Sequence, residues 1–380
     1  MKRRHLVVLV SAITLVTLVI VAAVIVGVGV GTDFGRSAIR SVVEREVSGR
    51  VKGKVHIGNV TGTILTGFTI DSFAIRDDQD SILVSTGPVT LDYDPRDLMD
   101  RRLLLRNVEV HGAVVRLRQY EDGDWNFQHV FDSDGPSTPG VPGRGFGDYV
   151  VLEDVRVTDG EFILTRPWSP DDSLRGAKRD SAIKRNLENP EREIRRSAEG
   201  YIHTYRWSNM SAKLPRVRIA DPDTAGQLAV VEDLAVDELE PPFSFRNAKG
   251  IVRKLGDSVF VDVEHFDLPA STGSARGKIW WGSALPIRVD VHVVADSVSL
   301  KDVAWVYETL PREGGGRTKL HIRNNRENFY AFEYALSDMD VRSTRSRLLG
   351  AMTFVVGNEV LEVRNVDLRA SPVNFDLFRT

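Results

Sequence analysis

The sequence predicts a mainly β protein behind an N-terminal transmembrane helix, its strands forming a curled antiparallel sheet with short helices between them. Three observations lead there. Residues 6–31 carry no charge and follow a basic tip. From Val51 onward, apolar residues recur at alternate positions in short stretches, the period of a strand. Similar strand units then return far down the chain.

Lys2, Arg3, Arg4 and His5 precede the apolar run from Leu6 to Gly31. A helix of that length reaches roughly 39 Å, enough to cross a hydrocarbon core with tilt. The basic tip places the N-terminus in the cytoplasm and the bulk of the chain on the far side. A cleaved signal peptide would have a shorter core, roughly 7–15 residues, closed by a small-residue cleavage site. Residues 1–31 therefore read as a cytoplasmic tip and an uncleaved single-pass anchor. Gly27, Gly29 and Gly31 make no phosphate loop, because no strand precedes them.

Residues 32–50 read as an amphipathic helix, with Phe34, Ala38, Ile39, Val42, Val43 and Val47 on one stripe and Gly49 at its stop. It either plugs the following sheet or lies on the membrane surface. Residues 51–130 form a first β block punctuated by Gly62, Gly67, Asp77-Asp78 and Gly87-Pro88. Residues 131–148 are a Pro/Gly-rich loop, and 149–168 continue the strands. Residues 169–200 are a mixed-charge, helix-leaning insertion interrupted by Pro190, solvated or docking a partner. Residues 201–380 are further strand units with one helix at 299–310, which Ser299 and Asp302 start and Pro311 stops. The closing VNFDLFRT reads as a strand in progress.

Two internal echoes stand out. LRNVEVHG from Leu105 resembles LEDVRVTDG from Leu152, and HFDLPAS from His265 resembles NVDLRAS from Asn365. Repeated strand units suggest a sheet that elongates without adding a centre.

The composition excludes several classes. The net charge of −3 and the absence of a dense basic run past the N-terminus argue against nucleic acid. The lack of cysteine removes disulfides, thiolate metal sites and cysteine nucleophiles. The eight histidines form neither H-E-x-x-H nor a close His-x-His pair, so no zinc site is expected. No G-x-S-x-G elbow or Walker loop occurs. The reading is of a protein that is not an enzyme and takes no cofactor; an anchored hydrolase with an unrecognised site is the remote alternative. Asp77, Asp78 and Asp80 read as a polar turn ahead of a calcium site, and so do Asp122 and Asp124 around Gly123. Trp125 reads as a packed turn aromatic, and Trp280-Trp281 as neighbours facing opposite sides of a strand. Asn59-Val60-Thr61 and Asn209-Met210-Ser211 match the glycosylation pattern, idle in a bacterial protein.

An antiparallel sheet with one apolar face buries it against a second sheet or helices. Helices here are few and mostly polar. That leaves a sandwich, or a curled sheet whose concave face holds an apolar ligand.

The anchor leads into GKVHIGNVTGTILTGFTIDSFAIRD and then VTLDYDPRDLMDRRLLLRNVEVHGAVVRLRQYEDGDWNF. Together these resemble the N-terminus of the AsmA-like family, in particular its TamB-type members. The likeness rests on a Gly-x-hydrophobic strand pair, the Tyr93-Asp94 strand end, the return at Leu103 to Leu105, and the turn of Asp122, Gly123, Trp125 and Asn126. DSVSLKDVAWVYETLP also resembles the family's short helix between strand blocks. The likeness is good over roughly residues 1–130 and loose beyond them. It implies inner-membrane anchoring, a periplasmic bulk, and strands curled into an elongated hydrophobic groove (a β-taco), as in bridge-like lipid transfer proteins. It implies movement of phospholipid toward the outer membrane; the alternative is assembly of outer-membrane proteins by strand pairing with a partner barrel. The partners implied are phospholipids, the inner membrane and an outer-membrane barrel.

On this reading Val55, Ile57, Ile64, Phe68, Ile70, Val89, Leu91, Val108, Val110 and Val114 line the groove, with a plain structural core as the competing reading of each. Which face points inward stays open, since a one-residue slip exchanges the faces.

Overall fold

β-branched and aromatic residues at alternate positions favour a pleated, half-buried surface over a helix. In the computed structural model strands dominate accordingly, joined in one large mixed sheet with few helices. The structure describes residues 54–372 apart from 64–66, 78, 95, 98–99, 101, 122–124, 127–129, 131–148, 171–173, 191, 199, 240–241, 283–284, 304–311, 330, 344–345 and 357–360. The expected anchor, the 32–50 helix, the Pro/Gly-rich loop and Ile64 lie outside the described residues. Two compact units emerge: residues up to 224 with 236–240, and 225–235 with 241 onward.

The N-terminal unit begins with four bent passes of chain. They are β1 (Lys54–Ile57) with β2 (Val60–Thr63), β3 (Gly67–Ile70) with β4 (Phe73–Arg76), β5 (Ile82–Thr86) with β6 (Val89–Tyr93), and β7 (Leu103–His111) with β8 (Val114–Arg118). Each pass breaks at its middle, and the breaks lie beside one another. The Gly58 amide donates to Ser72 O at 2.8 Å and the Asp71 amide to Asn59 O at 3.0 Å; Gly87 donates to His111 O at 2.9 Å. The breaks form a crease with an arm on each side: β2–β3–β6–β7, and β1–β4–β5–β8. At the crease a Cβ on Gly58 would stand 1.7 Å from Asp71 Oδ1, so any larger residue there would push the Asp71 side chain aside.

β9 (Val150–Trp168) spans both arms. Its first half pairs with β7 and its second with β8, both in parallel. The expectation of a purely antiparallel sheet is corrected here. A parallel return needs a connection of a dozen or more residues, and β8 ends at Arg118 while β9 starts at Val150. The far edge of β9 pairs antiparallel with β11 (Gly200–Ala220). Before β11 come α1 (Gly176–Leu187), with no buried residue, and β10 (Glu193–Ser197), which pairs with β11. The charged insertion is thus part helix and part strand; Ile194, 6% exposed, gives the strand a buried side.

β13 (Asp233–Leu239), whose residues 236–239 belong to the N-terminal unit, pairs with β11, and in the C-terminal unit β12 (Gln227–Val231) pairs with β14 (Pro242–Leu255). From β14 the chain is an antiparallel meander through β15 (Ser258–Leu268), β16 (Ser271–Gly282), β17 (Leu285–Ser299), β18 (Gly315–Asn324), β19 (Phe332–Ser343), β20 (Ser346–Val356) and β21 (Leu361–Ala370). α2 (Leu300–Val303) is the described part of the helix expected at 299–310. The Asp302 carboxylate accepts from the Ala270 amide at 2.9 Å and the Ser271 hydroxyl at 2.6 Å, which ties α2 to the β15–β16 turn.

The internal echoes have a structural cause. LRNVEVHG lies on β7 and LEDVRVTDG on β9, parallel and in register, with Leu105 opposite Leu152. Asn107 and Asp154 fall at the same level, and both take left-handed backbone, φ 49° and 54°. Asn209, Asn247, Asp338 and Asn365 do the same at φ 50–52°. At each of Asn107, Asn209, Asn247, Asp338 and Asn365, two residues of one strand face one of its neighbour: Asn247 and Ala248 lie between the pairs Arg246–Asp267 and Lys249–His265, and Ser337 and Asp338 between Leu336–Met352 and Met339–Gly350. These are β-bulges, which bend a strand and raise its twist. Asn and Asp tolerate the left-handed region that other residues avoid. Three of the Asn side chains also clasp an Asp on the next strand: Asn107 to Asp92 at 2.9 Å, Asn209 to Asp237 at 3.2 Å, and Asn247 to Asp267 at 2.7 Å.

Replacing Asn107 with Ala is expected to destabilise the chain by about 1–2 kcal/mol through left-handed strain, plus about 1 kcal/mol for the lost hydrogen bond. Asn107→Gly loses only the bond, so urea denaturation should rank the glycine variant as the milder. Equal losses would show that the bulge backbone is not what Asn107 supports.

Candidate functional site

Alternation puts β14–β21 side chains on two faces, and the register identifies them. One row crosses the sheet as Val261, Gly277, Val291, Ile322, Tyr334 and Phe354. The next runs Val263, Ala275, Val293, Leu320, Leu336 and Met352. Every one of these residues is half-buried. Strands stand about 4.8 Å apart, so a row across six of them runs roughly 24 Å. Toward one end the face closes, with Val259 and Ile279 at 0% and 2% exposure.

The opposite face carries charge: Asp262, Arg276, His292 and His321 occupy one row, and Lys278, Asp290, Arg323 and Glu333 the next. Neighbours compensate one another. Arg276 meets Asp262 at 2.9 Å, Arg323 meets Glu333 at 2.7 Å, and Arg347 grips Asp340 through two bonds of 2.8 Å. Burial works to raise the Glu333 carboxyl, but hydrogen bonds from Arg323 and Asn325 outweigh it and hold the group below the usual range. Asp267 is lowered by its bond from Asn247, Asp338 by Lys319 and Asp340 by Arg347. Lys278 lies over the Phe260 and Trp280 rings, which places Trp280 on the charged face.

The residues expected to line a groove are elsewhere, in the N-terminal unit. Ile57, Phe68, Ile70, Val89, Leu91, Val108 and Val110 are 0–6% exposed, enclosed by protein. Val55 and Val114 are half-buried, and Ile64 lies outside the described residues. The half-exposed apolar rows belong to later strands that no sequence motif singled out, although VDVHVV and VFVDV show the alternation plainly.

Other motifs resolve into structure. The Asp77 carboxylate accepts from the Gln79 and Ser81 amides at 3.0 and 2.7 Å and from Tyr120 at 2.8 Å, while Asp80 meets Lys54 at 3.3 Å. That is a polar turn satisfied by protein. Asn126, 1% exposed, takes the Arg118 amide at 3.0 Å and donates to Arg116 O at 2.8 Å, completing the ladder of β8 where β5 stops. Trp125 bridges to Gln119 beside it.

No family model, no curated protein and no solved structure matches the chain. Among the described residues no helix is long and apolar enough to cross a membrane.

Because Asp267, Asp338, Asp340 and Glu333 are lowered in the folded state, the unfolded chain binds more protons between the folded and ordinary carboxylate values. Their stabilisation is complete above the ordinary range, about pH 4, and falls away as pH drops through the lowered values. Asn247→Ala should raise the Asp267 pKa, read by carboxyl carbon NMR, and should weaken this acid dependence. An unmoved Asp267 would show that Asn247 does not hold it.

Proposed function

We propose that this is an inner-membrane-anchored periplasmic protein that moves phospholipid toward the outer membrane, its acyl chains lying on the apolar face of β14–β21. The observation that carries the reading is the pair of half-exposed apolar rows, continuous across six strands, on a sheet whose other face is charged. A transferred 16-carbon chain loses roughly 0.8 kcal/mol per CH₂ on exposure to water, near 13 kcal/mol in all. A continuous apolar track lowers that barrier without any specific polar site. One leaflet of a hydrocarbon core is about 15 Å thick, so the roughly 24 Å row is long enough for an extended tail. The charge-free run at residues 6–31 and the AsmA-like resemblance support the location and the class of cargo. In this reading the track lies in the later strands, and the enclosed core of the N-terminal unit takes no part in it.

A second reading, assembly of outer-membrane proteins by strand pairing, is favoured by β21. It bonds β20 on one edge, no described strand takes the other, and Val363 and Val366 are 51% and 57% exposed. An open edge of this kind can accept an incoming strand.

A photo-crosslinking amino acid at Leu320 or Ile322, in cells with an outer membrane, should yield phospholipid adducts. The same probe at Arg276 or Thr353, on the charged face, should yield none. Lipid adducts from both faces alike, or from neither, would sink the lipid track. Val366→Pro should leave the adducts unchanged; loss of outer-membrane protein assembly in that variant alone would favour strand pairing.

A further inference from the structure

The charged face holds a side-chain cluster that lipid passage does not use. Asp290 and His292 sit two residues apart on β17 and so share a face. His321 on β18 is the direct cross-strand partner of His292. The two imidazoles stack, centroids 3.8 Å apart and planes 17° from parallel. Both turn Nε2 to one oxygen: Asp290 Oδ1 is 2.7 Å from His321 Nε2 and 3.5 Å from His292 Nε2. The three groups can bring one donor atom each within 4.8 Å of the others.

The surrounding cations are engaged away from this oxygen. Arg276, beside His292, is held by Asp262 at 2.9 Å. Arg323, opposite Asp290, is held by Glu333 at 2.7 Å. Lys278, on the other side of Asp290, lies 5.2 Å over Phe260 and 5.1 Å over Trp280. Asp290 therefore has the imidazole pair as its close partners.

We propose that Asp290, His292 and His321 bind a divalent transition-metal ion, with Zn²⁺ as the best fit. Two imidazoles and a carboxylate suit Zn²⁺, Ni²⁺, Cu²⁺ or Fe²⁺, whereas Ca²⁺ and Mg²⁺ require oxygen ligands throughout. Zinc bonds of about 2.0–2.2 Å put tetrahedral ligand atoms roughly 3.3 Å apart. Two of the three donor spacings, 2.7 and 3.5 Å, bracket that value, and the stacked rings, 17° from parallel, tilt so that both Nε2 lone pairs meet at one point, a side-chain adjustment. Pairing between β17 and β18 continues to both sides of the cluster and keeps the three groups in register. Three protein ligands leave at least one coordination position open to solvent, where water or an anionic group can bind. A search for His-x-His misses such a set, since its third ligand comes from the next strand and only register brings it near.

The test uses the full chain without a histidine tag, stripped with chelator, equilibrated with ZnCl₂ and assayed for bound metal by mass spectrometry and by competition with a chromophoric chelator. One Zn²⁺ per chain should be retained by the parent. His292→Ala, His321→Gln and Asp290→Asn should each weaken binding by at least about tenfold, as disruption of a metal's ligand shell does. His265→Ala, which removes the ligand beside Asp267 on another strand pair, should leave binding unchanged. Circular dichroism checks that each variant is folded. Independently of any variant, X-ray absorption of the Zn²⁺ complex should report two imidazole ligands. A parent that binds no more Zn²⁺ than His292→Ala, or a zinc spectrum without two imidazoles, overturns the proposal.

Discussion

Alternation along a strand separates two faces only while neighbouring strands stay in register, because a slip of one residue moves every side chain to the wrong side. Long strands also have to twist and bend. The protein meets both demands with bulges that add one residue to a single strand. Leu336 and Met339 flank such an insertion, and both stay on the apolar face. Left-handed Asn and Asp residues make the insertion tolerable, and three of the Asn side chains clasp the adjacent strand. Without these positions, a meander of strands this long would lose either its curvature or its sidedness.

The two units use the same strand chemistry to different ends. In the N-terminal unit a crease at Gly58, Asp71-Ser72, Gly87 and Gly112 bends the four passes of chain, and the apolar side chains of both arms are enclosed, Ile70 and Val108 at 0% exposure. In the C-terminal unit Val291, Leu320 and Phe354 stay half-buried, while on the opposite face Arg276 pairs with Asp262 and Arg323 with Glu333. Enclosure is worth about 1.5–3 kcal/mol for each large aliphatic side chain. A face that forgoes part of that has surface left over for an apolar ligand. The proposed lipid track and the proposed metal cluster thus occupy opposite faces of one sheet, one apolar and one charged, and do not compete for the same residues.

Two short polar turns show what their side chains do for the sheet. The Trp125-Asn126 turn is used as a backbone substitute: Asn126 takes the two main-chain groups that β5 leaves unpaired on β8. The Ala270-Ser271 step binds Asp302, where a helix begins. In both turns buried polar groups find their partners within the protein.

The sequence by itself determined the strands, the breaks between them and the repeated Asn/Asp-aliphatic steps, because period-two alternation, glycine and left-handed tolerance are local properties of the residues. VDVHVV and VFVDV declared two-faced strands, and the two echoed segments proved to be parallel strands in register. What only the tertiary structure decided was partnership. The parallel run of β9 beside β7 and β8 depends on a crossover that alternation does not encode. So does the enclosure of Ile57, Phe68 and Leu91, since burial depends on what the rest of the chain lays over a residue. The meeting of His321 with Asp290 and His292 depends on cross-strand register, which is set by the summed pairing of whole strands and by no single stretch of sequence.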